Sequence, residues 1–315
     1  MICAVLSTMI SVSRALRSDR LIRATTGLST PEFKPLMASF YRELQKERRI
    51  RYERGVEQGV RERRPGGGRI GSLRTPAEKL FFILFYYKCY PTFDVLGLLF
   101  DLDRSNACRN VQKLTLIVEN VLEKKMVLPE RKISTVGELL ELFPDVKDLF
   151  IDGTERPIQR PKDREKQKAN YSGKKKAHTR KNILIVDKNR RIGYLSPPAE
   201  GKKHDFGMFK DLFPQGVFPE SITLWLDLGF MGVERVYPAA TVMMPKKKPK
   251  GGNLTDAEKV QNKAISGFRV LVEHAIGGLK RFGIATEKCR NKDGQFNDQV
   301  MTISCGLWNY HLKCC

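Results

Sequence analysis

The 315 residues carry 57 Lys and Arg against 35 Asp and Glu, a formal net charge of +22, and 41% of them are hydrophobic. That length supports two domains with real cores, and the charge draws a polyanion, nucleic acid first, the alternative at this point being a merely basic soluble protein. No apolar run reaches the roughly 18 residues of a membrane span, and seven scattered cysteines without a CxxC, beside four histidines at no zinc-ligand spacing, fit a reducing cytosolic setting.

In chain order, the opening MICAVLSTMISVSRALR has an apolar run broken by Ser7, Thr8 and Ser11 and no basic segment ahead of it. It reads as a short helix or an over-extended start, not a signal peptide. Residues 42–74 are dense in charge and close on a glycine run. Within them GGGRIG, Gly66 to Gly71, spells GxGxxG, but no apolar strand precedes it, and Pro65 with Arg69 marks a basic linker.

From Thr75 the pattern turns helical. TPAEKLFFILFYYKCY opens on a capping box, Thr75 to Glu78, with Pro76 at the first helical position. Pro91-Thr92 starts a short helix, TFDVLGLLF, ended by Asp101-Leu102-Asp103. A third helix, RSNACRNVQKLTLIVENVL, follows with Asp103 or Ser105 as its cap. Two helices joined by a three-residue turn, the second bearing Asn106, Arg109, Asn110 and Lys113 on its early turns, make a helix-turn-helix pattern for reading DNA; plain helical packing is the alternative.

After Pro129 the pattern becomes α/β. DVKDLFIDG reads as a strand ending in Asp152, and KNILIVD with RIGYLS, separated by Lys188-Asn189-Arg190, as a hairpin. FGMFKDLF is a short helix, ITLWLD a strand ending in Asp227, and TVMM a last strand before KKKPKGG. A long helix over about 255–281 and an amphipathic FNDQVMTISCGLWNYHL close the chain. The order predicts a mixed sheet covered by helices.

Asp152 and Asp227 each follow an apolar strand and precede a glycine, and an acid at a strand end projects into the crevice where α/β sheets bind ligands. A third acid, Glu273, stands in RVLVEHAIGGLK among Val270, Leu271, Val272, Ile276 and Leu279, a setting that demands either a basic partner or a metal ion. Three converging carboxylates suit Mg2+, and a pair of such ions would serve phosphodiester cleavage, so the metal reading takes precedence. Arg269 and Lys280 share the helical face of Glu273 and are placed to grip phosphates, against the plainer reading of an Arg269–Glu273 pair. The basic run from Tyr171 to Lys181, with Lys174, Lys175 and His178, suits a DNA backbone track, and KKKPKGG a second basic loop. His204-Asp205 fits either a phosphate-positioning pair or a structural one.

The blocks IDGTERPIQRP, YSGKKKAHTRKNILIVD, KKHDFGMF, LWLDLGFMG and RVLVEHAIGGLKRF, in this order, resemble the DDE transposases of bacterial insertion sequences of the IS-five type, to which the eukaryotic Harbinger transposases are related. The resemblance runs from about Thr75 to the C-terminus. It implies a ribonuclease H-like catalytic core, a mixed five-stranded sheet flanked by helices, over 129–315. Ahead of it come an all-α helix-turn-helix region over 72–128 and a basic helical segment with a linker over 1–71. It also implies metal-dependent cutting of transposon ends and their joining to target DNA, with two Mg2+ or Mn2+ ions on Asp152, Asp227 and Glu273. Arg269 and Lys280 match the R-x3-E-x6-K part of the signature. Relatives often carry a tyrosine at the position of Ser266, and some a histidine where Glu155, a fourth acid, stands here. The implied partners are double-stranded DNA and further copies of the chain assembled on it, with no membrane, in a bacterial cytoplasm at the nucleoid. Rival readings are a domesticated or inactive relative that regulates by binding DNA, and a plain metal-dependent nuclease.

Overall fold

The computed structural model describes residues 10–63, 71–144 and 146–314. Apart from Gly71, the GGGRIG match lies outside them, as do the first nine residues. The chain divides into two compact units, one taking everything up to Val127 together with Arg281–Ile284 and Lys313–Cys315, the other Leu128–Lys280 and Ala285–Leu312.

The first unit is helical: α1 (Val12–Ala15), α2 (Asp19–Thr26), α3 (Thr30–Glu57), α4 (Pro76–Cys89), α5 (Phe93–Phe100) and α6 (Arg104–Lys124). The expected capping box forms, with Thr75 Oγ1 accepting from the Glu78 amide at 3.1 Å and the Glu78 carboxylate accepting from the Thr75 amide at 2.7 Å. From Leu80 to Tyr87 every residue of α4 is buried. A helix apolar all round belongs at the centre of its neighbours. Phe33, Leu36, Phe40 and Leu44 of α3 and Ile22 of α2 are buried as well. The residues ahead of the helix-turn-helix therefore share its core, where the sequence suggests a separate basic segment. Only the second half of α3, rich in Arg and Lys, stays largely exposed.

Between α5 and α6 the chain reverses through Asp101 at φ +55°, while the Leu102 amide bonds back to the Gly97 carbonyl at 2.9 Å. A β-carbon on Gly97 would run into the Leu102 carbonyl oxygen, so the tightness of this turn requires the glycine.

The second unit contains α7 (Val136–Leu142), β1 (Asp148–Pro157), α8 (Arg164–Asn170), β2 (Tyr171–Ser172), β3 (Ala177–Val186), β4 (Ile192–Leu195), β5 (Ala199–Glu200), α9 (Asp205–Leu212), β6 (Thr223–Trp225), α10 (Val233–Val236), β7 (Thr241–Met243) and α11 (Asp256–Lys280), with α13 (Gly294–Cys314) beyond the short α12 (Gly283–Thr286). The sheet is mixed. β1 pairs antiparallel with β3 and parallel with β6, and β6 pairs parallel with β7. Both β4 and β5 pair with β3 at residues whose other partners are on β1, so they line one edge, interrupted at Pro197-Pro198. Five strand positions thus lie side by side, as the resemblance implies, with seven named strands because that edge is split and β2 adds a short pairing to β3.

Apolar groups cover both faces. Leu149, Ile151, Ile183 and Leu224 face one cluster with Phe143, Met208, Phe209 and Phe213. Phe150, Leu184, Val186 and Trp225 face another with Val272, Ala275 and Leu279 of α11 and Met301, Cys305 and Trp308 of α13. Strands buried on both faces read as continuous apolar runs, which is why LFI and NILIV show no alternation.

Candidate active site

β1 and β6 run parallel with Phe150 opposite Trp225. Two residues further along each strand path stand Asp152 and Asp227, so register alone brings the two acids to matching places, on the side of the sheet that α11 covers. β1 does not end at Asp152, as the sequence suggests, but runs on to Pro157 because β3 continues to pair with it. What ends near Asp152 is the parallel pairing.

The Asp152 carboxyl is pushed up to about 6, first by burial and then by the charge of Asp227, with Asp205 adding to the effect. Opposing this, Asp152 accepts from the Gly153 amide at 2.7 Å and faces the Arg269 guanidinium at 3.8 Å. Asp227 caps the 3-10 turn Leu228–Phe230, its Oδ1 accepting from the Gly229 amide at 2.8 Å. Asp205, the first residue of α9, lies beside both glycines. A β-carbon on Gly229 would stand 3.0 Å from its Oδ2, and one on Gly153 would stand 3.3 Å from its Oδ1. The glycines of Asp152-Gly153 and Asp227-Leu228-Gly229 thus leave room for a third carboxylate.

Lys181 holds that third carboxylate. Its ammonium lies 3.1 Å from Asp205 and 3.5 Å from Glu155, and it also donates to the Lys203 carbonyl. Glu155 in turn accepts from Thr179 Oγ1 at 2.8 Å. Glu155 and Lys181 face each other across β1 and β3. Lys181 therefore turns inward, away from the basic track in which the sequence placed it.

Glu273 departs from expectation. It is exposed on α11, because Val272, Ala275 and Leu279 take the buried stripe and Glu273 falls beside it. Its carboxylate faces solvent despite these neighbours and needs no buried partner. Arg269 pairs with Asp152 instead of Glu273 among the described residues. Lys280 does approach the acids: burial, then repulsion from Lys175, lowers its pKa, while Asp152 and Glu155 act in the opposite direction.

No group of three or more His, Cys, Asp or Glu side chains is gathered as a metal-holding set among the described residues. Asp152 and Asp227 nevertheless fit a divalent cation, being hard oxygen donors whose mutual repulsion Arg269 does not cancel. Mg2+ is commonly held by one or two carboxylates with water and phosphate oxygens completing its shell.

Of the predicted DNA contacts in this unit, Lys174 and Lys175 are exposed in the turn before β3. His178 packs edge-on to Tyr171 and helps line an open groove of about 680 Å³ with Arg160, Lys168 and Lys202. His204 is exposed at the cap position of α9, where its side chain makes no capping hydrogen bond. Lys246, first in the KKKPKGG loop, is tied to α11 by two hydrogen bonds with Asn262.

In the helical unit, Arg109 is exposed on α6 and donates to Asn106 Oδ1 at 2.9 Å, while the Asn110 amide donates to the Asn106 carbonyl one turn back. Burial lowers the Lys113 pKa, with repulsion from Arg51 and Arg48 of α3 next. That clustering of α3 with α6 was not legible in the sequence, since it joins residues about sixty positions apart.

The model of the DDE superfamily endonuclease matches residues 151–309, and that of the helix-turn-helix of DDE superfamily endonuclease matches residues 71–123. A probable transposase for insertion sequence element IS702 of Microchaete diplosiphon is 32% identical over 238 residues, 75% of this chain and 80% of that protein. No solved structure matches. With the in-register aspartates inside the first match and the α5–α6 turn inside the second, the chain belongs to the DDE superfamily endonucleases.

Proposed function

We propose that the protein is the transposase of an insertion sequence, binding terminal inverted repeats and carrying out metal-dependent strand cleavage and transfer. The observation that carries this reading is the aspartate pair, set by register on adjacent parallel strands, with Asp152 raised by burial and by Asp227. The 32% identical transposase of Microchaete diplosiphon supports it. Superfamily members depend on divalent metal, and Asp152 and Asp227 would hold Mg2+ or Mn2+. A pair of such ions would supply activation of the attacking oxygen and stabilisation of the leaving one. Glu273, exposed on α11, would complete the set of carboxylates holding the two ions.

The protein's own groups divide the remaining work. Arg269 faces Asp152 and, with Lys280 and Lys175, presents positive charge where a scissile phosphate would run. Asp205 and Glu155, held by Lys181, keep α9 and β1 in place beneath the aspartates. In the other unit, Arg109, Asn110 and Lys113 on α6 are the proposed end-reading residues. Copies of the chain are expected to assemble on the DNA.

The test uses DNA carrying the inverted repeats that flank the coding region, a supercoiled target and Mg2+. Joined products that need both specific ends and both aspartates are expected. A shifted band without joining, or joining regardless of end sequence, would overturn the reading.

A further inference from the structure

Beyond the aspartates, β1 leads into a separate cavity of about 450 Å³ in the same unit. Arg156, Arg160, Lys162, Arg180, Arg290 and Lys292 bring six positive groups to its wall, while Ile158, Pro198 and Met301 supply apolar surface. The acid on the wall, Asp298, is already paired with Arg131. The cavity is built: the Cys289 amide donates to the Pro157 carbonyl at 2.9 Å, stitching the loop before α13 to the end of β1.

Two observations point to an anionic occupant. Arg156 is 5% exposed, and its Nε has no hydrogen-bond partner among the described residues. A buried guanidinium nitrogen without an acceptor is costly. Arg156 also faces Arg180 directly across β1 and β3, and like charges directly opposite in an antiparallel pair repel, with Glu200 of β5 on the other side of Arg180 and away from Arg156. An anion between them would relieve both.

The size and the mixture of apolar floor and cationic rim suit a phosphate carrying a flat, partly apolar body. We propose that this cavity is a nucleoside-phosphate site, its arginines taking the phosphate and Ile158 and Met301 lying against the base. Arg160 lines both this cavity and the basic groove of Tyr171 and His178, so a strand following the groove passes its mouth. The nucleotide therefore comes either from DNA, as one unpaired residue, or from solution.

The full-length protein in EDTA, where no cutting intrudes, separates these sources. One arm measures binding to a duplex with a single unpaired 2-aminopurine against the fully paired duplex of equal length, with the fluorescence of the unpaired base as a local signal. The other arm titrates dAMP by calorimetry. Preference for the unpaired duplex of about tenfold, lost in the rim variant Arg180→Ala/Lys292→Ala while paired-duplex binding falls only slightly, identifies a DNA nucleotide. Binding of dAMP that the same variant abolishes, without duplex discrimination, identifies a free nucleotide. Arg156→Met, checked by thermal melting, should remove either signal without loss of stability. If neither probe binds in a way the rim variant changes, the proposal fails. Strand transfer is not read in either arm, so failure here leaves the transposase reading standing.

Discussion

Asp152 has two neighbours of its own sign, Asp227 and Asp205, against the Arg269 guanidinium, with Lys280 also interacting with it. In the metal-free protein its carboxyl titrates at about 6 instead of the usual 3.8. The folded state then holds this proton more tightly than the unfolded chain. Stability falls as pH rises from about 4 to about 6, and a cost of about 3 kcal/mol stands in full above that range. Asp152→Asn should therefore melt above wild type at pH 7.5 in EDTA, an advantage that shrinks toward pH 4, while cleavage is lost and end binding is kept. An equal offset at both pH values would mean the acid carries no such cost. At Glu273 the exposure changes the expectation. Glu273→Gln should leave stability within about 0.5 kcal/mol of wild type, as surface changes do, yet abolish strand transfer if this carboxylate joins the site on DNA. Full transfer by the variant would remove Glu273 from the triad.

Elements were legible where one local rule decided them. The capping box at Thr75 set the start of α4, and doubly buried strands announced β1 and β3 by their apolar runs. Two things hid. The exposure of Glu273 was obscured because five apolar neighbours suggested burial, whereas the buried stripe runs through Val272, Ala275 and Leu279, flanked by half-buried Leu271 and Ile276, and Glu273 falls outside it. Lys181 and the cationic cavity were hidden because their partners come from distant segments: Asp205 from α9, and the cavity wall from β1, β3 and the loop before α13. Arg109→Ala should cost about 1–3 kcal/mol of preference for the transposon end, the worth of a bidentate base contact. Asn110→Ala should cost less, since its single amide nitrogen already bonds the Asn106 carbonyl, whereas Arg109 keeps further N–H donors beyond its bond to Asn106. Equal losses, measured by competition between end and random duplexes, would show that Asn110 releases that bond on DNA. Gly97→Ala should destabilise the α5–α6 turn by about 1–3 kcal/mol, the usual cost of overpacking, seen as a lower melting temperature; an unchanged melt would mean the turn yields.

For the whole molecule, a net charge of +22 makes affinity for DNA a question of how many phosphates are neutralised and where. Most of that charge is spread over exposed Lys and Arg, but Lys175 and Lys280 are close enough to repel each other beside the carboxylates. Two cations held together are best satisfied by one shared phosphate. Lys175→Ala should weaken binding to all duplexes alike and reduce the salt slope by about 0.9, the loss of one phosphate contact. Lys280→Ala should do the same. If both lysines clasp a single phosphate, the double variant loses little more than either alone, and a double-mutant cycle returns a clear coupling energy. Slopes that add to about 1.8 would place the lysines on separate phosphates and turn the Tyr171–Lys181 segment into an independent track. Unchanged slopes in all three variants would remove this face from the DNA path, and the net charge would then have to act through the arginines of α3 and the lysine of α6 beside them.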